Sequence, residues 1–311
     1  MAAAVRLPAA LRSDAARGWA LHSRAVLWLV GLPMLVGLTL FALYPTLFLL
    51  ALAASKSSLG KIFQSWVGTA NFMKALGEAN FVDALLRSVG FALTTTAAAL
   101  LLGLGVALLL DRAVKARALL RTLILLPLLT PPVTVGIIWQ LLLMPAGGLV
   151  NSWLLQLGLT AEPITFLGSP SLAFPLLCLA DVWQWTPFVA LLTYATLQTL
   201  PNDVYEAARL DGAGEWRLFR SITLPMLAPA LIGIAVLKLV IGFKVFDLVF
   251  VLTAGGPGQA TTVASFDIYR TAIQQFDIGL AAAQTILFGL VVGIVTIPFT
   301  RAQRWAEGKL S

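Results

Sequence analysis

Leu200-Pro-Asn-Asp-Val-Tyr-Glu-Ala-Ala-Arg-Leu-Asp-Gly-Ala-Gly-Glu-Trp-Arg-Leu-Phe-Arg-Ser-Ile-Thr-Leu-Pro225 is a polar, charge-bearing stretch set between two strongly apolar runs. Proline disfavours helix in the residue before it, so Pro201 closes the run that ends at Leu200. Asp203 is expected to cap a new helix, and Glu206, three residues on, completes a capping box. Ala207 and Ala208 give that helix a low-profile face, and Gly212 suits a left-handed C-terminal cap. An amphipathic segment follows, carrying Trp216, Leu218, Phe219 and Ile222 towards Pro225. On local physics alone the stretch is either an ordinary capped connector or a small-faced helix that a soluble partner could grip.

The flanking sequence shows what the stretch connects. Of 311 residues 59% are apolar and only 11% charged, against about 25% charged in an ordinary soluble chain. Residues 25–55, 88–110, 182–202 and 278–300 carry no charge. Each is long enough to cross a hydrocarbon core of about 30 Å at about 1.5 Å per residue. The fold class expected is an all-α membrane protein with six transmembrane helices: Val26 to Leu52, Leu85 to Leu110, Leu119 to Leu143, Leu172 to Leu197, Met226 to Leu252 and Leu280 to Phe299.

Lys and Arg are distributed unevenly between the connections. The 1–25 tail, the segment around Asp111 to Arg121, the 201–221 loop and the stretch after Thr300 hold 14 of them; the other three loops hold five. The positive-inside bias therefore places both termini and the 200–225 loop in the cytoplasm. Residues 1–25 form an N-terminal tail, 26–52 the first span, 85–300 the transmembrane core with the 200–225 loop, and 301–311 a C-terminal tail. The first apolar run exceeds the core of about 7 to 15 residues in a secretory signal, so it is expected to be retained as a helix. The net charge of +7 is explained by this topology, and nucleic acid is not expected as a partner. A single cysteine, Cys178, and a single histidine, His22, leave no internal disulfide and no metal cluster.

Glu206-Ala207-Ala208, three residues, Gly212, nine residues and then Ile222-Thr-Leu-Pro225 resembles the EAA signature of membrane permease subunits of binding-protein-dependent ABC importers. The segments Ala180-Asp-Val-Trp-Gln-Trp-Thr-Pro-Phe188, Phe243-Lys-Val-Phe-Asp247, Leu252-Thr-Ala-Gly-Gly-Pro257 and Phe276-Asp-Ile-Gly-Leu-Ala-Ala-Ala283 are similar to the sugar-type, maltose-permease-like branch. The resemblance covers roughly Leu85 to Thr300. It implies a bacterial or archaeal cytoplasmic (inner) membrane protein that moves a sugar, polyol or related small carbohydrate by alternating access. It also implies a second homologous permease subunit, an ATP-binding cassette ATPase dimer and an external solute-binding protein as partners, within a lipid bilayer. The chain has no G-x-x-x-x-G-K-[ST] phosphate loop. ATP and Mg would thus be used by the partner ATPase, and this chain is expected to bind no cofactor and to have no catalytic residue.

By the same resemblance, coupling to the ATPase falls to Glu206, Ala207, Ala208, Asp211 and Gly212. The solute path would draw on Gln184, Trp185, Phe188, Lys238, Ile241 and Gly242. The polar amides of the maltose-type site on the second of these helices are replaced here by apolar residues and Gly, which argues against maltose itself. Packing of the bundle is the alternative reading for the aromatic residues. Charges within spans are costly, so Asp181, Lys244 and Asp247 are expected to form intramembrane ion pairs, Lys244 and Asp247 being three apart on one helix face. Pro131-Pro132 and Pro187 interrupt helix hydrogen bonds at membrane depth. A transporter driven by H⁺ or Na⁺ through Asp181 and Asp247 is the competing hypothesis, which the EAA spacing disfavours. An integral membrane enzyme is a third, disfavoured by the absence of a triad, metal cluster or carboxylate pair.

Overall fold

A computed structural model describes residues 28–29, 31–112 and 117–308, with backbone alone over 117–121. The 1–25 tail and the last three residues of the C-terminal tail lie outside the described residues. Among the described residues, five helices are long and apolar enough to cross a membrane: α1 (Gly31–Ala53), α3 (Ala79–Arg112), α7 (Pro170–Leu197), α9 (Glu215–Phe243) and α12 (Ile278–Gly308). Between α1 and α3 come a hairpin, β1 (Ser55–Ser58) and β2 (Lys61–Trp66), and the short helix α2 (Ala70–Gly77). The hairpin is antiparallel with Ser55 opposite Trp66, and it adjoins the start of α12 through Leu59 N–H donating to the Phe276 carbonyl at 3.2 Å.

The third span is not one straight crossing. It consists of α4 (Arg117–Leu129) and α5 (Pro132–Leu143), with a bend of 98° between Thr122–Leu129 and α5. Two prolines cause the corner: Pro131 holds Thr130 out of the helical region, and Pro132 has no N–H to extend the ladder of α4. The expected fifth span, Met226 to Leu252, is also corrected. Its helix begins earlier, at Glu215, and ends at Phe243; Lys244 to Phe246 are non-helical, and a separate helix, α10 (Asp247–Leu252), follows. The remaining elements are α6 (Leu149–Gln156), α8 (Asn202–Leu210) in the polar loop, and α11 (Ala264–Tyr269).

Small residues let these helices approach closely, as is usual where lipid gives no hydrophobic drive between them. A Cβ on Gly103 of α3 would lie 2.6 Å from Val189 Cγ1 of α7, so that contact requires glycine. Phe91 lies beside Phe174, and Ala107 and Leu110 pack with Tyr194, so α3 and α7 run in the same direction. On α9, Ile234 packs with Ala99 of α3 while Phe243 packs with Ala92, so α9 runs the opposite way. Leu52 and Ala53 of α1 pack on Ala282 and Ala283 of α12, which sets those two antiparallel. The polar loop, the end of α3 and the end of α12 consequently share one face of the bundle. The hairpin, α2 and the loops around α6 and α11 share the other.

Candidate functional site

On the first face, α8 starts at Asn202 immediately after Pro201, whose extended backbone occupies the cap position, and no side chain caps the helix. The expected capping box is therefore absent: Asp203 and Glu206 lie within the helix. Asp203 still places a carboxylate in the first turn, where the helix dipole favours it. The other end is as the sequence implies. Gly212 has φ +79°, its N–H donates to the Arg209 carbonyl at 3.0 Å, and Ala213 N–H donates to the Ala208 carbonyl at 2.9 Å. This double closure is a Schellman motif, and it requires the left-handed conformation that glycine tolerates best.

Side chains fix α8 to the ends of the spans. The Tyr205 hydroxyl donates to Thr223 Oγ1 at 3.1 Å, and Arg209 and Arg112 both reach Glu215, at 3.7 and 3.2 Å. Gln198 donates to Asp111 Oδ1 at 2.6 Å, linking the ends of α7 and α3. A cavity of about 830 Å³ lies beneath the helix, between it and the ends of α3, α7 and α9. Glu206, Ala207, Asp211 and Gly212 are exposed and Ala208 is half-buried. Leu210 is 89% exposed, an apolar side chain presented to whatever meets this face.

A second feature lies in the half of the bundle nearer the hairpin face, about 16 Å along α7 from its first residue. Here a cleft of about 270 Å³ is lined by Asp181, Gln184 and Trp185 of α7, Ile241 of α9, Lys244, Val245 and Phe246 of the break, Asp247 and Leu248 of α10, and Pro132. Both interrupted spans thus border it. Gln184 is buried, and its amide donates to the Thr130 carbonyl at 3.0 Å, which satisfies a backbone group left over at the proline corner. Trp185 and Phe188 are half-buried and meet edge to face with ring centroids 5.9 Å apart. Only Trp185 of the two lines the cleft; Phe188 packs instead beside Ala99, Val189 and Ile234.

The charges are arranged differently from the expectation. Asp181 pairs with Lys238, Nζ to Oδ2 at 2.7 Å, with side chains 4% and 0% exposed, and Thr95 Oγ1 lies 3.4 Å from the same Nζ. Lys238, assigned above to the solute path, lies behind the cleft wall as the counter-ion. Gly242 is likewise behind the wall: a Cβ there would sit 3.1 Å from Ala92 Cα of α3. Lys244 and Asp247 make no ion pair with each other or with any other described residue, and both are exposed. The helix that would have aligned them at i and i+3 ends one residue before Lys244. Because Asp181 already has its cation, it is not a free carboxylate of the kind an ion-coupled mechanism needs.

Sequence reasoning missed Phe246, Val245, Leu248 and Pro132 as lining residues. Phe246 is held by an aromatic group from α10 and α11, with the Tyr269 ring 5.2 Å away, and Ser265 Oγ donates to the Val245 carbonyl. The Pro131-Pro132 pair signalled a break near this level, whereas Pro187, named with it, lies inside α7, which continues through it to Leu197.

Comparison with known proteins places this geometry in a family. Residues 99–311 match the model for the binding-protein-dependent transport system inner membrane component. The chain is 34% identical over 281 residues to the trehalose/maltose transport system permease protein MalF of Thermococcus litoralis, covering 89% of this chain and 93% of that one. It is 31% identical over 291 residues to the sn-glycerol-3-phosphate transport system permease protein UgpA of Escherichia coli, covering 93% and 96%. A crystal structure of a bacterial ABC transporter involved in import of the acidic polysaccharide alginate shares the fold, with a TM-score of 0.75 at 24% identity over 94% of this chain and 98% of that one. The chain belongs to the family of inner membrane components of binding-protein-dependent transport systems, as a permease subunit and not as the ATPase.

Proposed function

We propose that this chain is one of two homologous permease subunits of an ATP-driven importer for a small carbohydrate, and that it works by alternating access. The observation that carries this reading is α8. It is a short helix closed by a Schellman turn at Gly212 and tied by Tyr205 and Arg209 to the start of α9, with Glu206, Ala207, Asp211 and Leu210 exposed. A stiff element anchored to span ends transmits motion, whereas a floppy connector absorbs it. In this reading Glu206, Ala207, Ala208, Asp211 and Gly212 meet the partner ATPase, which binds ATP and Mg and hydrolyses the ATP. Both termini lie in the cytoplasm, on the face that carries α8.

The cleft at Gln184, Trp185 and Ile241 is the solute path within this subunit, with Phe188 supporting the Trp185 ring. A flat ring beside polar groups suits the apolar C–H face and hydroxyl rim of a sugar. The relatives named for trehalose/maltose and for sn-glycerol-3-phosphate support a small polyhydroxylated solute. Purification of the chain with its second permease subunit and ATPase tests the assignment. ATP hydrolysis by the complex should rise when the loaded external binding protein is added. A chain that purifies alone, or an ATPase rate indifferent to the loaded binding protein, would refute it.

A further inference from the structure

We infer that Lys244 and Asp247, together with Phe246, form the second wall of the solute site, and that this wall selects neutral carbohydrates over sugar acids and sugar phosphates. The inference rests on the carbohydrate permease reading and deepens it. Lys244 opens the break that follows α9, Phe246 closes it and Asp247 opens α10; all three line the same cleft as Gln184 and Trp185. Two opposite charges, exposed and in no ion pair among the described residues, stand at a depth where bare charge is unfavourable. Water satisfies them when the cleft is open, and solute hydroxyls satisfy them when it is filled. An ammonium offers three donors and a carboxylate accepts, so together they read both roles of a sugar hydroxyl with charge-assisted bonds.

The charge balance of the cleft decides the solute class. Asp181 borders it and is neutralised by Lys238 at 2.7 Å; Lys244 and Asp247 offset one another. No further charged side chain among the described residues lines the cleft, so the formal charge this subunit gives it is zero. An anionic solute would meet the Asp247 carboxylate beside the Lys244 ammonium, and in a cleft of zero formal charge its own charge would remain as net charge in the membrane interior. A neutral polyol brings only hydroxyls, and Trp185 and Phe246, from two different elements, provide apolar faces for its C–H surface.

The experiment uses the whole complex, held in lipid nanodiscs, carrying Ile241→Cys as a reporter within the cleft. The native Cys178 is buried and labels slowly. Maleimide labelling is timed with glucose, trehalose, glucuronate or sn-glycerol 3-phosphate at equal concentrations. The two neutral sugars should slow labelling and the two anions should not. Lys244→Met and Asp247→Asn should each weaken sugar protection about tenfold, the loss of one charge-assisted bond. Asp247→Asn, which leaves the cleft with a net positive charge, should also gain protection by glucuronate. Anions that protect the parent as well as sugars do would overturn the inference. So would protection by none of the four, or protection unchanged in both variants, which would return these charges to contacts with the second permease subunit. Failure of the underlying permease reading is distinguishable, because the complex with the ATPase would then not form at all.

Discussion

Lys238 and Asp181 show what a single residue costs inside a bundle. Their pair is buried among α3, α7 and α9, and removing one partner leaves the other charge uncompensated. Lys238→Met is therefore expected to destabilise the protein by about 3–5 kcal/mol, whereas combining it with Asp181→Leu should recover much of that loss. Thermal unfolding midpoints of the parent, the single and the double variant in one detergent would show it; a single variant as stable as the parent would contradict the pairing. Gln184 makes a smaller contribution. Its bond to the Thr130 carbonyl satisfies one acceptor at the proline corner, so Gln184→Leu should cost about 1–3 kcal/mol by the same measurement. This pairing was legible only in part. The sequence marks Asp181, Lys238, Lys244 and Asp247 as charges needing partners. Which of them meet depends on where α9 ends, and the apolar run continues to Leu252 without a proline or glycine pair to mark the stop at Phe243.

In the proposed mechanism, coupling turns on the short helix α8. Its C-terminal glycine was legible because a left-handed cap has a strong residue preference; its N-terminus was not, because Pro201 takes the cap position that Asp203 was expected to fill. Gly212→Val should strain the turn by about 1–2 kcal/mol, the cost of a left-handed conformation in a residue with a Cβ, and should loosen the angle between α8 and α9. The spans should remain folded, so the loss should appear as weaker stimulation of ATP hydrolysis at normal complex yield. Ala208→Trp should act differently, by blocking close approach of the ATPase, and should reduce co-purification. Normal assembly and normal stimulation in both variants would show that α8 is a connector and not a lever. The broken spans carry the complementary lesson. Pro131-Pro132 announces a corner between α4 and α5, yet nothing local states that the corner faces the break at Lys244 to Phe246 across one cleft, which is a consequence of α5 and α10 packing together.

For the molecule as a whole, the Lys and Arg asymmetry and the helix directions agree on one arrangement. α3, α7 and α12 run from the hairpin face to the α8 face, and α1 and α9 run back. Reporter fusions after residue 160 and after residue 212 should read outside and cytoplasm respectively; the reverse pattern would refute the orientation. The helical membrane architecture was legible from the apolar runs, because membrane thickness sets their length; among the described residues it comprises five long helices and the bent pair α4 and α5. The hairpin and α2 were not, since Ser55 to Gly77 mixes polar and apolar residues without a clean period and is held by contacts with the start of α12. The central claim is that α8 couples this permease to ATP hydrolysis by a partner. Uptake of a neutral sugar into proteoliposomes holding the full complex, with the external binding protein outside and ATP inside, tests it most directly. Uptake should require ATP and the binding protein, persist when H⁺ and Na⁺ gradients are collapsed, and fall sharply with Ala208→Trp. Uptake that follows an ion gradient without ATP, or that is unchanged by Ala208→Trp, would contradict it.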